Sequence, residues 1–308
     1  MPLINRRVKE LAAQAGFDLS GVAPAGDLVP EGERLTNWLN AGNHGAMSWM
    51  ERHLQLRKDP REVMPGTRSV VAVALNYFTP HQHAADGKIS RYAWGDDYHD
   101  IMRERLLTLL ELIKSEWPEV NGRVCVDTAP VMDKSWAVRA GLGWLGKHSN
   151  VITKELGSWV FLGEILMDQE FDEYDQAIED HCGTCTRCLD ACPTQAITAP
   201  YVVDSRRCIS YGTIEFRDAR LPEVIAENLD GWVYGCDICQ DVCPWNRFER
   251  PTEEKRFEPR LGETSLPPDE ILSMTHEEYV ERFRRSAIKR AKLGGLKRNA
   301  SHLKEAKK

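Results

Sequence analysis

The chain has 308 residues, 42% of them hydrophobic and 28% charged, with a formal net charge of −7. That length predicts about two domains, and the composition supplies real cores and a colloidally stable surface. The longest apolar stretch, Ser69 to Leu75, is too short to cross a bilayer, and no apolar segment follows the basic start, so neither a membrane span nor a signal peptide is expected.

In chain order, residues 3–16 read as an amphipathic helix and 17–23 as a strand. SVVAVALNYF, 69–78, is a near-continuous apolar run, as expected of a strand covered on both faces. Residues 97–117 carry Met102, Leu106, Leu109, Ile113 and Trp117 at helical spacing. RVCVD, 123–127, reads as a short strand ending in a Thr-Ala-Pro turn, and 131–140 as a helix. SNVIT, KELG and SWVFLGEIL together read as a β-hairpin. The stretch 167–180 packs seven acids into fourteen residues and reads as a connector. One more helix is expected around 276–293, and the last stretch, GGLKRNASHLKEAKK, reads as mobile.

Nine cysteines occupy positions 125, 182, 185, 188, 192, 208, 236, 239 and 243, eight of them within 62 residues. Clustered cysteines point to metal binding in a reducing compartment rather than to a disulfide scaffold, so a cytoplasmic location is expected. CGTCTRCLDACP, 182–193, is the bacterial ferredoxin run C-x2-C-x2-C-x3-C-P. Three thiolates from one such loop grip one cluster, and the fourth serves a neighbouring cluster. A single tetrahedral zinc prefers two separated C-x2-C knuckles. CDICQDVCP, 236–244, supplies the end of a second motif, whose first cysteine is displaced to Cys208, with 27 residues between Cys208 and Cys236. Crossed ligation assigns one [4Fe–4S] cluster to Cys182, Cys185, Cys188 and Cys243. The other falls to Cys192, Cys208, Cys236 and Cys239, and Cys125 is left over as a buried strand cysteine.

GLGWLGKH, 141–148, matches G-x-G-x-x-G and nearly matches a P-loop, but a helix precedes it and a strand follows. Both nucleotide motifs need the reverse order, so these glycines read as helix termination and close packing. Asp97-x-His99 begins like a cobalamin-binding loop, weakly suggesting a histidine ligand to cobalt. From Arg282 to Lys308 there are eleven Lys or Arg and one acid, a basic end able to meet a polyanion.

Several stretches together resemble the epoxyqueuosine reductases: 56–78, SRYAWGDDYH (90–99), 126–153, both cysteine groups with their long gap, and 283–299. The resemblance implies an α+β fold whose core is similar to cobalamin-dependent reductive dehalogenases. Residues 1–166 would form a mixed-sheet cobalamin-binding domain, 167–250 a ferredoxin-like domain with two [4Fe–4S] clusters, and 251–308 a short, helical, basic tail. That tail would be truncated relative to longer members, which carry a helical-repeat extension that helps hold tRNA. The implied reaction reduces the epoxide of epoxyqueuosine to queuosine at the tRNA wobble position. Two clusters would feed electrons to cobalamin, and Asp127 would donate a proton as general acid, its pKa raised by burial against the corrin. Asp before Thr-Ala-Pro is also ordinary turn chemistry.

The same resemblance marks Arg57, Val151 and Leu162 as cofactor contacts. Ser210, Thr213, Asp237 and Ile238 would meet the cofactor from the ferredoxin side, and Lys134 and Lys147 would touch cofactor or substrate. Expected partners are an anticodon loop and an unidentified electron donor, with no membrane, for a monomeric enzyme. Two alternatives stand beside this reading: a related reductase of small molecules such as organohalides, and a non-enzymatic electron carrier.

Overall fold

The computed structural model describes residues 2–305. Its largest sheet runs in the order β1 (Leu19–Pro24), β2 (Ser69–Asn76), β7 (Val160–Met167), β4 (Gly122–Cys125). Every neighbouring pair in it is antiparallel. All eight residues of β2 are buried, and their alternation explains why the run reads as continuously apolar. Val71, Val73 and Leu75 face one core, with Val8 and Leu11 of the 5–14 helix and Met102, Leu106 and Leu109 of the 98–116 helix. Val70, Ala72 and Ala74 face the opposite core, with Trp136 and Ala137 of the 133–139 helix. A strand with helices on both sides buries both of its period-two faces.

The acidic connector is pinned to this first layer. Asp172 accepts the backbone N–H of Asn5 at 2.8 Å, and Asp175 accepts that of Val22 at 2.8 Å and pairs with Lys9. Small strands follow the large sheet's logic less closely. β5 (Trp144–Leu145) pairs antiparallel with β6 (Val151–Ile152), and β8 (Ile197–Ala199) with β9 (Val202–Val203). Parallel pairing within named strands belongs to β3 (Lys88–Ile89) and β10 (Trp232–Tyr234).

The expected hairpin of 149–166 does not form as a ladder. β6 turns back onto β5, a single bridge joins Thr153 to Gly157, and β7 goes to the centre of the large sheet. Gly141 ends the 133–139 helix at a φ of +75°, and a Cβ on Gly143 would lie 2.1 Å from the Ile152 carbonyl oxygen. Close packing, not phosphate binding, thus accounts for the glycines there.

A further core surrounds β10, with Ile209 and Ile214 of the 209–214 helix, Tyr279 of the 276–282 helix, and Leu296, Ala300 and Leu303 of the 292–305 helix. The stretch read as mobile is therefore a packed helix through Glu305; residues 306–308 lie outside the described residues. Its apolar face was missed because Gly294 and Gly295 open it. Asn299, fully buried, fixes the helix by donating to the carbonyls of Thr213 and Val233 at 3.0 and 2.8 Å. The expected helix over 276–293 breaks into 276–282 and a 3₁₀ turn, 287–291.

Candidate active site and cluster sites

Eight of the cysteines gather in two groups of four. Cys182, Cys185, Cys188 and Cys243 line one pocket, with Lys147, His148, Ile152, His181 and Trp245. In the other quartet, Cys208 is within electrostatic reach of Cys192, Cys239 of both, and Cys236 of Cys239 and Cys208. Short turns set these positions: Cys182 and Cys185 bracket a turn closed by Cys185 N–H to the Cys182 carbonyl at 3.1 Å, and Cys188 rides the 187–191 helix. Burial first, and neighbouring thiols second, push the Cys188 thiol up to about 11 and raise Cys236 and Cys239. The protein alone thus opposes thiolates in both pockets. A cationic iron–sulfur core supplies the positive charge that reverses this, so the donor sets fit two [4Fe–4S] clusters. Cys239 also senses Cys188, which sets the quartets side by side.

A second centre forms where β4, β7 and two helix N-termini end together. Asp97 caps the 98–116 helix, accepting the His99 N–H at 3.1 Å. The His99 ring then bridges two carboxylates, Nδ1 to Asp97 at 2.7 Å and Nε2 to Asp127 at 3.0 Å. Tyr98 stacks on the ring at 4.0 Å and on Phe161 at 4.3 Å. Burial opposes charge on His99, but its bonds to Asp127 and Asp97 outweigh it and lift its pKa to about 9. Burial would likewise raise Asp127, yet the His99 bond and charge, with Tyr98 and Lys134, hold its carboxyl below the usual range. This corrects the expected direction: in the protein itself Asp127 is ionised and the proton sits on His99. It also removes His99 as a free ligand for cobalt, since both ring nitrogens are engaged.

Asp127 has a φ of +39°, a strained conformation for a residue with a Cβ. Its side chain is 60% exposed, and Lys134 is exposed too. Burial of their surroundings nonetheless penalises both charges, so they face an open recess rather than bulk solvent. Cys239 of the second quartet lies within electrostatic reach of Lys134 across that recess. Arg290 similarly senses Asp127.

Other predicted residues divide between recess and framework. Arg57 is buried, its guanidinium 5.4 Å above the Trp49 ring and its charge near Asp133 and Asp127, with Nε unpartnered. Val151 is buried in the core with Trp136 and Ala137, and the partly buried Leu162 packs against that core. Lys134 donates to the Ser149 carbonyl at 2.8 Å and to Asn150 at 2.9 Å. Ser210 and Ile238 are half-buried.

Three of these side chains are tied into the framework. Thr213 is fully buried, donating to the Ile209 carbonyl at 2.8 Å and accepting the Gly235 N–H at 3.0 Å. Asp237 is buried, accepting from the Ser90 hydroxyl and from the Arg91 N–H at 2.8 Å. Lys147 ties the 146–150 turn to the first cysteine loop through the carbonyls of Gly183 and Cys185 at 2.6 and 2.9 Å. Cys125 is buried opposite Glu164, and burial with that neighbour pushes its thiol up to about 12, so it stays protonated and inert.

Sequence reasoning missed the buried carboxyl pair behind Asp127. Glu164 is fully buried on β7 beside Asp133; burial and then the Asp133 charge raise Glu164 strongly, while burial, with the Asp127 charge behind it, raises Asp133 to about 6. Two such carboxyls cannot both ionise, so the pair holds a proton. A lone acid inside VFLGEILM was the available signal. Among the described residues, Arg282, Arg290 and Arg298 of the basic end are tied internally, to Glu263, to Glu215 and to the carbonyls of Gly212, Phe216 and Asp218. Arg284, Arg285, Lys289 and Lys292 are exposed.

Two clusters beside a recess that presents a histidine-bound carboxylate define an iron–sulfur reductase with an acid–base centre. Residues 181–246 match a 4Fe-4S double cluster binding domain, and 57–128 match epoxyqueuosine reductase QueG, DUF1730. The epoxyqueuosine reductase of Cellulophaga algicola is 46% identical over 96% of this chain and 97% of its own length. The chain belongs to the epoxyqueuosine reductase family. A crystal structure of epoxyqueuosine reductase with an epoxyqueuosine-modified tRNA-Tyr stem loop is similar at a TM-score of 0.88 and 30% identity, covering 96% of this chain and 80% of that one. The Bacillus subtilis enzyme, with its catalytic aspartate loop swung out of the active site, is similar at 0.88 and 30%, with the same coverage. No helix among the described residues is long and apolar enough to cross a membrane.

Proposed function

We propose that this chain reduces the epoxide of epoxyqueuosine in a tRNA anticodon loop in the cytoplasm, with Asp127 as the residue that hands over the proton. The carrying observation is the 3.0 Å contact of Asp127 with a doubly bonded His99 in a recess that lies beside Cys239. The position of Asp127 just after β4, in a strained conformation, agrees with a relative whose catalytic aspartate lies on a loop able to leave its site.

The residues of the recess fit a corrin. Its amide side chains offer both donors and acceptors. Arg57 Nε and Asp133 Oδ1 are buried polar atoms without partners, suited to an amide oxygen and an amide N–H. Cobalamin held there would supply low-potential electrons for the reduction. Removing the epoxide oxygen breaks its two C–O bonds, takes up two electrons and two protons, and leaves a carbon–carbon double bond and water. Clusters held by the two cysteine quartets would supply those electrons one at a time. As negative charge grows on the oxygen, the proton held on His99 passes to it through Asp127, and solvent then recharges His99. Tyr98 and Asp97 fix that ring. An extruded base of a single-stranded loop is the kind of substrate such an open recess admits.

The test is anaerobic reconstitution with iron, sulfide and cobalamin, then a low-potential reductant and an anticodon stem loop bearing epoxyqueuosine. Loss of one oxygen from the modified nucleoside, read by mass spectrometry, is expected. Corrin binding with turnover of an organohalide but not of the stem loop would replace the substrate. Protein that holds both clusters but retains no corrin would be an electron carrier.

A further inference from the structure

Two buried N–H donors that the reaction chemistry does not use lie against the first quartet, one lining its pocket and one in the core beside it. His148 is 4% exposed and lines the pocket with Cys182, Cys185, Cys188 and Cys243. Its Nδ1 accepts the Asn150 backbone N–H at 3.2 Å. A ring nitrogen that accepts carries no proton, so the proton of neutral His148 is on Nε2. That Nε2 has no partner in the protein. Trp144 is 1% exposed and packs against Cys243 and Cys182. Its indole Nε1 is also unpartnered, although it reaches toward the Cys182 sulfur closely enough to favour the thiolate. Trp245 and His181 close the pocket edge-on to Trp144, at 4.7 and 5.0 Å between ring centroids.

Burying a donor without an acceptor is costly. Two such donors around one metal pocket are explained if the occupant accepts from them, and cluster sulfurs and cysteine thiolates are acceptors. We propose that His148 Nε2–H and Trp144 Nε1–H donate hydrogen bonds to sulfurs of the first [4Fe–4S] cluster and raise its reduction potential. Hydrogen bonds to sulfur stabilise the more negative, reduced cluster, and so shift its potential upward. In the second quartet the Cys192 sulfur accepts a backbone N–H, from Ala196 at 3.2 Å. The first cluster is thereby set to take and hold an electron ahead of its neighbour, which matters for a reduction that consumes two electrons delivered one at a time. This inference rests on the crossed ligation and is independent of the tRNA substrate.

The experiment is an anaerobic redox titration of the reconstituted full chain, followed by electron paramagnetic resonance, for wild type, Trp144→Phe and His148→Phe. Trp144→Phe keeps an aromatic ring in place and deletes only the donor. The expected result is a shift of the first cluster to more negative potential in each variant, with the second cluster unmoved and iron content unchanged. Protein labelled with ¹⁵N-histidine should also show hyperfine coupling from the reduced first cluster to one imidazole, lost in His148→Phe. An unchanged first potential in Trp144→Phe at full iron, or wild-type protein without imidazole coupling, overturns the proposal. Should His148→Phe fail to hold iron, those two measurements still decide it. If Cys243→Ala retained both clusters, the ligand assignment itself would fail, and that is read separately from iron content.

Discussion

The electron-handling region and the proton-handling region of this chain are built on opposite plans. Eight thiols come from one 62-residue stretch, their spacing set by tight turns and short helices. The acid–base centre draws Asp97 and His99 from a helix start, Asp127 from a strand end, Arg57 from an earlier helix and Arg290 from near the end of the chain. The electrostatics differ as well. Burial and crowding work against charge on the thiols, which become stable ligands only with metal. Around Asp127, a histidine between two carboxylates favours charge without any cofactor. A metal module therefore depends on its occupant to settle its charges, while the proton centre is set before cofactor or substrate arrives.

The largest expected effect breaks the electron side. Cys236→Ala should remove one cluster, lowering iron from about eight to about four per chain and abolishing epoxide reduction; unchanged iron would refute the crossed assignment. Next comes the proton side. Asp127→Ala should retain iron and corrin yet lose about 10²–10⁴-fold in turnover, the usual range for a general acid. Full activity in that variant would reduce Asp127 to a turn residue and leave the proton to another group.

The difference between the regions also explains what could be read in advance. Ligands on one loop leave a regular signature, so both quartets were legible from C-x2-C-x2-C-x3-C-P and its displaced partner. The alternation of β2 was legible because period two is local. His99 was visible only as Asp97-x-His99, a pattern that also suggested a cobalt ligand; its bond to Asp127 depends on the pairing of β4 with β7, which sequence spacing does not encode. Thr213, Asp237 and Lys147 are polar residues beside cluster ligands, a position that suits cofactor contact and loop anchoring equally. Their hydrogen bonds show the anchoring. The 292–305 helix escaped for a similar reason, since the buried Asn299 holds it through carbonyls of distant segments.

A smaller effect sharpens the proton side. His99→Gln keeps a polar side chain beside Asp127 but cannot carry the charge. The folded pKa of about 9 lies above the unfolded value of 6.5, so the stabilisation His99 gives is full below pH 6.5 and is lost as pH rises through about 9. Turnover of the wild type should fall across the same alkaline limb as the relay empties. Asp97, Asp127, Tyr98 and Lys134 are the groups that face the pair and shape that limb. The variant should lose about tenfold in rate near neutrality, at the low side of acid–base contributions, and the limb near pH 9 should disappear from its profile. A variant that kept the wild-type limb would show that His99 only props Asp127 in place.

The smallest effect concerns the basic end, where one stretch mixes two kinds of cation. Arg298 is half-buried, with its guanidinium in contact with three backbone carbonyls at 2.7–3.0 Å, and burial lowers its pKa to about 10. Its replacement should cost stability, seen as a lower melting temperature. Arg284 and Lys289 are exposed and point no side-chain bond inward among the described residues. Cations free to meet a phosphate release counterions on binding, so each one removed should lower the slope of log affinity against log salt by about 1. The double variant Arg284→Ala, Lys289→Ala should therefore weaken stem-loop binding a few-fold at low salt, with melting temperature and turnover at saturation unchanged. An unaltered salt slope would move the RNA contact away from this stretch, while a fall in melting temperature would place these two cations with Arg298 in the framework.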